Sequence, residues 1–309
     1  MASTVSARMI ESSRLSPRRA RLRKYGLAYA FLTPAIILYA IFVLNPTLQS
    51  LRLAFFEWNG VSADKQWVGL DNFRRLGGDE IFWQALQNNL VWTAIVVSFN
   101  LVVGLGTAAM LASRIRGRLL FRLGFFLPVV QASIVTAMIW KWMYAPDGVV
   151  NSLLEFFRLG SLTRGWLGDF TFALPSLAIS SGWMTFGLSV VILLAGMQGV
   201  DRELYDAAQV DGANRRQMFF HVTLPSIRNV VTIVVILSLI DAFKVFDLIW
   251  ATTEGGPIRS TEVLSTYMFK EGFQKNQYGY GSAIAVVLSL IILVTSIIYA
   301  TIQERADDH

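Results

Sequence analysis

The feature that most limits this chain is how far it runs without a charge. Tyr25–Leu51 is uncharged for 27 residues, Ile81–Ser113 for 33, Leu123–Trp140 for 18, Phe170–Val200 for 31 and Asn276–Gln303 for 28. About 20 mostly apolar residues in a helix cross the hydrocarbon of a bilayer. A sixth apolar stretch, Asn229–Thr253, is interrupted by Asp241, Lys244 and Asp247, yet it is too apolar for a solvated loop. The intervals predict an all-α membrane protein with six transmembrane helices, near 27–49, 88–112, 121–143, 173–197, 228–251 and 279–302. Composition agrees. Only 16% of the 309 residues are charged and 54% are hydrophobic, against about 25% charged in soluble domains. The chain lacks the polar surface of a soluble enzyme.

Several chemistries are excluded outright. No cysteine is present, so there are no disulfides, thiolate metal sites or cysteine nucleophile. Two histidines, His221 and His309, are too few for an imidazole metal site. No Gly-Lys pair occurs, and hence no P-loop for ATP. Neither a catalytic residue nor a metal ligand is expected. Tyr25–Leu51 is too long for the apolar part of a signal peptide and lacks a small-residue cleavage site. It reads as a first span kinked or ended by Pro34 and Pro46.

Orientation follows from the positions of lysine and arginine. Residues 1–24 carry Arg8, Arg14, Arg18, Arg19, Arg21, Arg23 and Lys24 against the single acid Glu11. Arg114, Arg116, Arg118 and Arg122 follow the second span without any acid. The loops 50–87, 145–172 and 252–278 hold nine basic and eleven acidic residues. Both termini are therefore expected in the cytoplasm. The basic tail at 1–24 reads as a topology signal in contact with lipid headgroups.

Between the fourth and fifth spans lies Gly199–Pro225, a connection too long to be idle. Its pattern predicts two short helices. Asp201 is placed to cap the first, with Glu203 in its first turn. Leu204, Ala207, Ala208 and Asp211 recur at i, i+3, i+4 and i+7 and share a face. Gly212 is positioned to stop this helix. A second helix is expected over Ala213–Val222, with Arg215 and Arg216, and Pro225 opens the next span. The alanines and acids fit a protein-docking knob better than a helix lying on lipid.

The run Glu203-Leu-Tyr-Asp-Ala-Ala208, then Asp211-Gly-Ala213, Phe219 and Thr223-Leu-Pro225, resembles the EAA loop of ABC-importer permeases. Resemblance extends to Ala242-Phe-Lys-Val-Phe-Asp-Leu-Ile249, Thr253-Glu-Gly-Gly-Pro257, Ser260-Thr-Glu262 with Tyr267, and Gly279-Tyr-Gly-Ser-Ala283. Leu32-Thr-Pro34, Asn45-Pro46 and Val68-Gly-Leu-Asp-Asn-Phe73 also match. These segments resemble the carbohydrate-importer branch, MalF/LacF/UgpA-type, from about residue 25 onward. One departure is Asp206, where the family usually has glutamate.

The resemblance implies a type I ABC importer permease (MetI-like) fold. Its expected organisation is a basic tail at 1–24, a first span with its connector at 25–84, a permease core at 85–303 with the loop 199–225, and a short tail at 304–309. It implies ATPase coupling through Leu204, Tyr205, Asp206, Ala207, Ala208, Asp211, Gly212, Arg215, Phe219 and Pro225. The implied partners are a second, MalG/UgpE-like permease, two copies of a cytoplasmic ATP-binding subunit, an extracytoplasmic solute-binding protein and membrane lipid, with no nucleic acid. No cofactor is expected in this chain, ATP and magnesium being held by the partner subunits. The expected location is a bacterial cytoplasmic (inner) membrane.

The substrate path has two pointers. Charged residues inside spans are costly, and Asp241, Lys244 and Asp247 are spaced to lie along one helix face, where Lys244 can pair with either aspartate. This triplet reads either as a self-neutralised network or, at Asp241, as an acceptor for sugar hydroxyls. Aligned on Pro128 and the EAA loop, the sugar contacts of the family's maltose permease fall at Val129, Ser133, Ser181, Met184, Thr185, Leu188, Ser238, Asp241, Ala242 and Val245. Only Ser133 and Ser238 keep the residue type, which argues against maltose. Gln131, Trp140, Lys141 and Trp183 are further candidates at the mouth, although tryptophans near span ends also serve as interface anchors. Gly255-Gly256-Pro257 is a sharp turn and a candidate docking surface for a binding protein.

The function expected is transport by a non-enzymatic subunit of an ATP-driven importer of a saccharide or sugar derivative. A self-contained secondary transporter would show inverted repeats and ionisable relays in several spans. A six-span channel or scaffold leaves the 27-residue loop unexplained.

Overall fold

The computed structural model describes residues 17–113 and 117–307. Arg8, Arg14, Arg114, Arg116 and His309 lie outside the described residues. The chain forms two compact units, Met1–Leu53 and Ala54–His309.

The first unit is helical. Helix α1 (Pro17–Tyr39) carries Pro34 inside it, and a wide turn over Ala40–Leu44 leads into α2 (Asn45–Leu53). Pro46 has no N–H for the carbonyl four residues back, and the wide turn lies just ahead of it.

The second unit opens with a two-residue hairpin, β1 (Phe56–Glu57) antiparallel to β2 (Gln66–Trp67), and the short α3 (Asp71–Gly77). This connector is tied to the start of the last helix. Tyr278 donates its amide to the Trp58 carbonyl at 3.0 Å, and Arg75 donates to Gln277 Oε1 at 2.8 Å. The connector grouped by sequence with the first span is thus bonded to the last one.

Helix α4 (Glu80–Ala112) is capped by Asp79, whose Oδ1 accepts from the Ile81 and Phe82 amides. After it come α5 (Arg118–Val130), α6 (Ser133–Met143), α7 (Val149–Phe156) and α8 (Ala173–Gln198). The 199–225 loop contributes α9 (Arg202–Val210), α10 (Arg215–Met218) and α11 (Leu224–Ser226). Helices α12 (Arg228–Phe243), α13 (Asp247–Thr252), α14 (Leu264–Phe269) and α15 (Tyr278–Asp307) complete the chain.

Among the described residues, four helices are long and apolar enough to cross a bilayer: Tyr29–Leu53, Glu80–Ala112, Ala173–Gln198 and Tyr278–Ile302. Two bent pairs bring the number to six if each is one span. Leu119–Val130 and Ser133–Met143 meet at 102°, and Arg215–Ser226 and Arg228–Phe243 at 72°. The third span expected over 121–143 is thus a sharply bent pair of helices. Pro128 removes a donor from the last turn of α5, and Gln131 and Ala132 are extended, which turns the chain sharply.

Helix α8 is the centre of this unit, with Leu174, Leu177, Ala178, Phe186, Val190, Leu193 and Leu194 all buried. It packs against α4 along its length and against α5 at Gly187. A Cβ on Gly187 would lie 2.3 Å from the Phe125 carbonyl oxygen, so only glycine permits this approach. At the end of the unit far from the 199–225 loop, Tyr267 and Tyr280 both donate their hydroxyls to Asp79 Oδ2. This joins α14 and α15 to the start of α4.

Candidate functional site

A cavity of about 450 Å³ lies among α4, the α5–α6 corner, α8 and α12. Seven of the ten aligned positions line it: Val129, Ser133, Met184, Thr185, Leu188, Ser238 and Asp241. Gln131 and Lys244 line it as well. Ser181 does not; it lies one helical turn beyond Thr185, buried, with its carbonyl accepting from the Thr185 hydroxyl at 3.0 Å. Ala242 and Val245 face a different cluster, with Trp92, Leu248 and Ile249. Trp140, Lys141 and Trp183 are also outside the cavity wall, and the two tryptophans pack edge to face at 5.7 Å.

Sequence reasoning passed over Asn100. Its amide nitrogen donates to Thr185 Oγ1 at 3.1 Å and to Ser238 Oγ at 3.2 Å, joining α4, α8 and α12 in the cavity wall. The available signal was an amide with no other amide or charge between Leu90 and Ser113, where a polar side chain needs a partner. Gln131 Oε1 is buried with no hydrogen-bond partner among the described residues.

The Asp241–Lys244–Asp247 stripe is not continuous. Helix α12 ends at Phe243, Lys244 donates its amide to the Asp241 carbonyl at 3.2 Å, and Phe246 leaves the helical region before Asp247 starts α13. Asp241 and Lys244 stay in the cavity wall, whereas Asp247 does not line it. No ion pair within 4.0 Å links these three among the described residues. The break is covered from other segments: Asn89 reaches the Phe243 carbonyl, and the Ser265 hydroxyl donates to the Val245 carbonyl. Irregular backbone at membrane depth requires such partners.

The 199–225 loop projects from the ends of α8 and α12. Asp201 accepts from the Glu203 amide at 3.1 Å and caps α9. Gly212 follows α9 at φ +79°, a left-handed conformation suited to glycine. Leu204, Asp206, Ala207, Asp211 and Arg215 are exposed, while Tyr205, Ala208 and Phe219 are half-buried. The Tyr205 hydroxyl lies 2.8 Å from Thr223 Oγ1, tying α9 to the segment that feeds α12. The second helix expected over Ala213–Val222 runs as one helical stretch over Arg215–Ser226. It is capped reciprocally by Asn214 and Gln217, widens by one residue per turn over Phe219–Thr223 and carries Pro225 in its last turn.

At the far end, Gly255-Gly256-Pro257 forms a tight turn with a cis Gly256–Pro257 bond. Thr261 Oγ1 donates to the Gly256 carbonyl at 2.7 Å, and Lys270 Nζ bridges the Glu254 carbonyl at 2.8 Å and buried Glu262 at 2.6 Å. Nearby, burial would raise the Asp79 carboxyl, but hydrogen bonds from Tyr267, Tyr280 and the Phe82 and Ile81 amides outweigh it and hold it below the usual carboxylate range. Burial, and then Asp79 itself, pushes the Tyr267 hydroxyl well above the ordinary phenol range.

Residues 100–308 match the family described as binding-protein-dependent transport system inner membrane component. The chain is 37% identical over 274 residues to the probable ABC transporter permease protein YurN of Bacillus subtilis, covering 88% of this chain and 94% of that one. It is 32% identical over 294 residues to the lactose transport system permease protein LacF of Rhizobium radiobacter, covering 93% and 98%. Among solved structures, a chain of the bacterial alginate ABC transporter in complex with alginate pentasaccharide-bound periplasmic protein superposes with a TM-score of 0.79. Identity to that chain is 25%, with 93% of this chain and 97% of that one covered.

Proposed function

The chain belongs to the binding-protein-dependent transport system inner membrane components, and on that premise we propose that it is the permease subunit of an ATP-driven importer of a saccharide or sugar derivative. One observation carries this reading. Helices α8 and α12 wall the cavity, and the 199–225 loop is the segment that joins them. A displacement of the loop therefore reaches both walls through covalent backbone.

In this mechanism an extracytoplasmic binding protein delivers the solute, and this chain forms half of the path with a second permease. One of two cytoplasmic ATP-binding subunits receives α9 in a cleft, in contact with Leu204, Asp206, Ala207, Asp211 and Arg215, and the two close on ATP. Their closure moves the loop and rocks α8 and α12 between inward- and outward-facing states. Shifting such an equilibrium from 1:99 to 99:1 takes about 5.5 kcal/mol of differential affinity. The hydrolysis is the partners' chemistry. Both termini and the 199–225 loop lie in the cytoplasm of a bacterial cell, and Gly255–Pro257 faces the binding protein.

The cavity wall supports a sugar-like cargo. Ser133, Ser238 and Asp241 offer hydroxyl and carboxylate partners, while Val129, Leu188 and Leu237 supply apolar surface suited to the C–H face of a pyranose. Relatives named for lactose and alginate uptake support the same class. The test is purification of the solubilised complex and reconstitution in vesicles. An ATPase subunit must co-purify, and uptake must need both ATP and the binding protein. Uptake by this chain alone would establish a self-contained secondary transporter instead.

A further inference from the structure

The 144–172 connection carries an amphipathic helix that nothing above uses. Val149, Leu153 and Phe156 recur at i, i+4 and i+7 on α7 and are all exposed, Phe156 to 79% and Leu153 to 51%. Phe157, directly after the helix, is 67% exposed. The opposite face is fastened to the protein by one buried residue, Asn151. Its Nδ2 donates to the Pro146 and Arg164 carbonyls, both at 2.9 Å, and its Oδ1 accepts from Trp166 Nε1 at 2.9 Å. The helix is thus pinned with its apolar side outward, the reverse of what water favours.

Its height is also fixed. Met143 ends α6 and Ala173 begins α8, and the Tyr144 hydroxyl donates to the Ser176 carbonyl at 2.9 Å. The helix therefore sits at the ends of two membrane-embedded helices, where hydrocarbon gives way to headgroups. Trp142 in the last turn of α6 and Phe170 just before α8 are likewise exposed, as in the aromatic belts found at this level.

We propose that α7 is an interfacial foot. Its Val149–Leu153–Phe156 face, extended by Phe157, rests in the headgroup–acyl boundary of the leaflet opposite the 199–225 loop. The foot holds the far end of α6, whose near end supplies Ser133 to the cavity wall. It binds lipid as a surface, not as a single molecule in a pocket.

The absence of cysteine makes the test direct. Leu153→Cys, Phe156→Cys and Glu155→Cys are made singly in the full chain and labelled with an environment-sensitive fluorophore. Each is reconstituted, with the subunits that co-purify, in phosphatidylethanolamine–phosphatidylglycerol vesicles. Quenching by a lipid nitroxide near the headgroup is compared with quenching by aqueous iodide; the unsubstituted complex serves as blank. Labels at 153 and 156 are expected to be quenched about threefold or more in favour of the nitroxide, and the label at 155 in favour of iodide. Iodide quenching at all three positions would place the face in water and overturn the proposal. Protection of 153 and 156 from both quenchers would assign the face to a protein partner and overturn it equally. Two positions on one face guard against a single variant that fails to assemble. The outcome is independent of whether the cavity carries a sugar.

Discussion

Asn100 donates its side-chain amide to Ser238 Oγ at 3.2 Å, from the middle of α4 to α12, and shares a second bond with Thr185 on α8. One amide joins three helices in the wall of the cavity.

Asn100→Leu is expected to lower the stability of the solubilised protein by about 1–2 kcal/mol, the range for polar contacts between membrane helices. A fall in the thermal unfolding midpoint in detergent checks this. Ser238→Ala removes a cavity hydroxyl with a smaller stability cost and should instead reduce the vesicle uptake rate. Unchanged uptake for Ser238→Ala would remove this wall from the path.

Gly212→Pro should abolish uptake while leaving membrane insertion intact. Proline cannot adopt the φ of +79° found there, and it loses the amide that donates to the Gln209 carbonyl at 3.0 Å. Gly212→Ala is milder, at about 1–2 kcal/mol of left-handed strain. Uptake and co-purification of the ATPase, measured together, separate a lost contact from lost folding.

Gly187→Val should prevent α5 from seating on α8. Its Cβ would meet the Phe125 carbonyl oxygen, and backbone cannot move aside as a flexible side chain can. The cost is expected at about 1–3 kcal/mol or more. Reduced yield of monodisperse protein on gel filtration, with normal insertion, is the readout.

The Asp79 junction predicts a pH dependence. Its folded-state carboxyl is held below the ordinary value, so its stabilisation is fully present at neutral pH. It is lost as pH falls below about 4 and through the depressed folded value. Unfolding midpoints measured between about pH 7 and pH 3 should fall on the acid side, and Tyr267→Phe should lessen that slope. An unchanged slope in the variant would mean that the Tyr267 hydroxyl is not what depresses the carboxyl.

Much of this architecture was legible in the residue order because hydropathy and capping are local. The uncharged intervals located the four long helices, and Asp201 and Gly212 bracketed α9 as read. The corner at Gln131–Ala132 and the helix break at Lys244–Phe246 were not legible. Hydropathy sums residue types and carries no direction, so a sharply turned pair scores like a straight span. What permits the break, Asn89 and Ser265 covering carbonyls more than a dozen residues away, is a tertiary fact. Asn100 was overlooked for a related reason: it is uncharged, and its two partners lie 85 and 138 residues downstream. At the cavity, Val129, Ser133, Met184, Thr185, Leu188, Ser238 and Asp241 share one wall because helical spacing carries across aligned helices, whereas Ser181, Ala242 and Val245 lie outside it.

The 199–225 loop has a mechanical consequence. It is a strap anchored on two faces of one chamber, so in the proposed assembly any force on it arrives as shear between those faces. Shear transmits in both directions. A rigid molecule wedged between α8 and α12 would resist the stroke and act as a brake on nucleotide turnover. Cargo too stiff to pass would then stall the engine from the far end of the linkage.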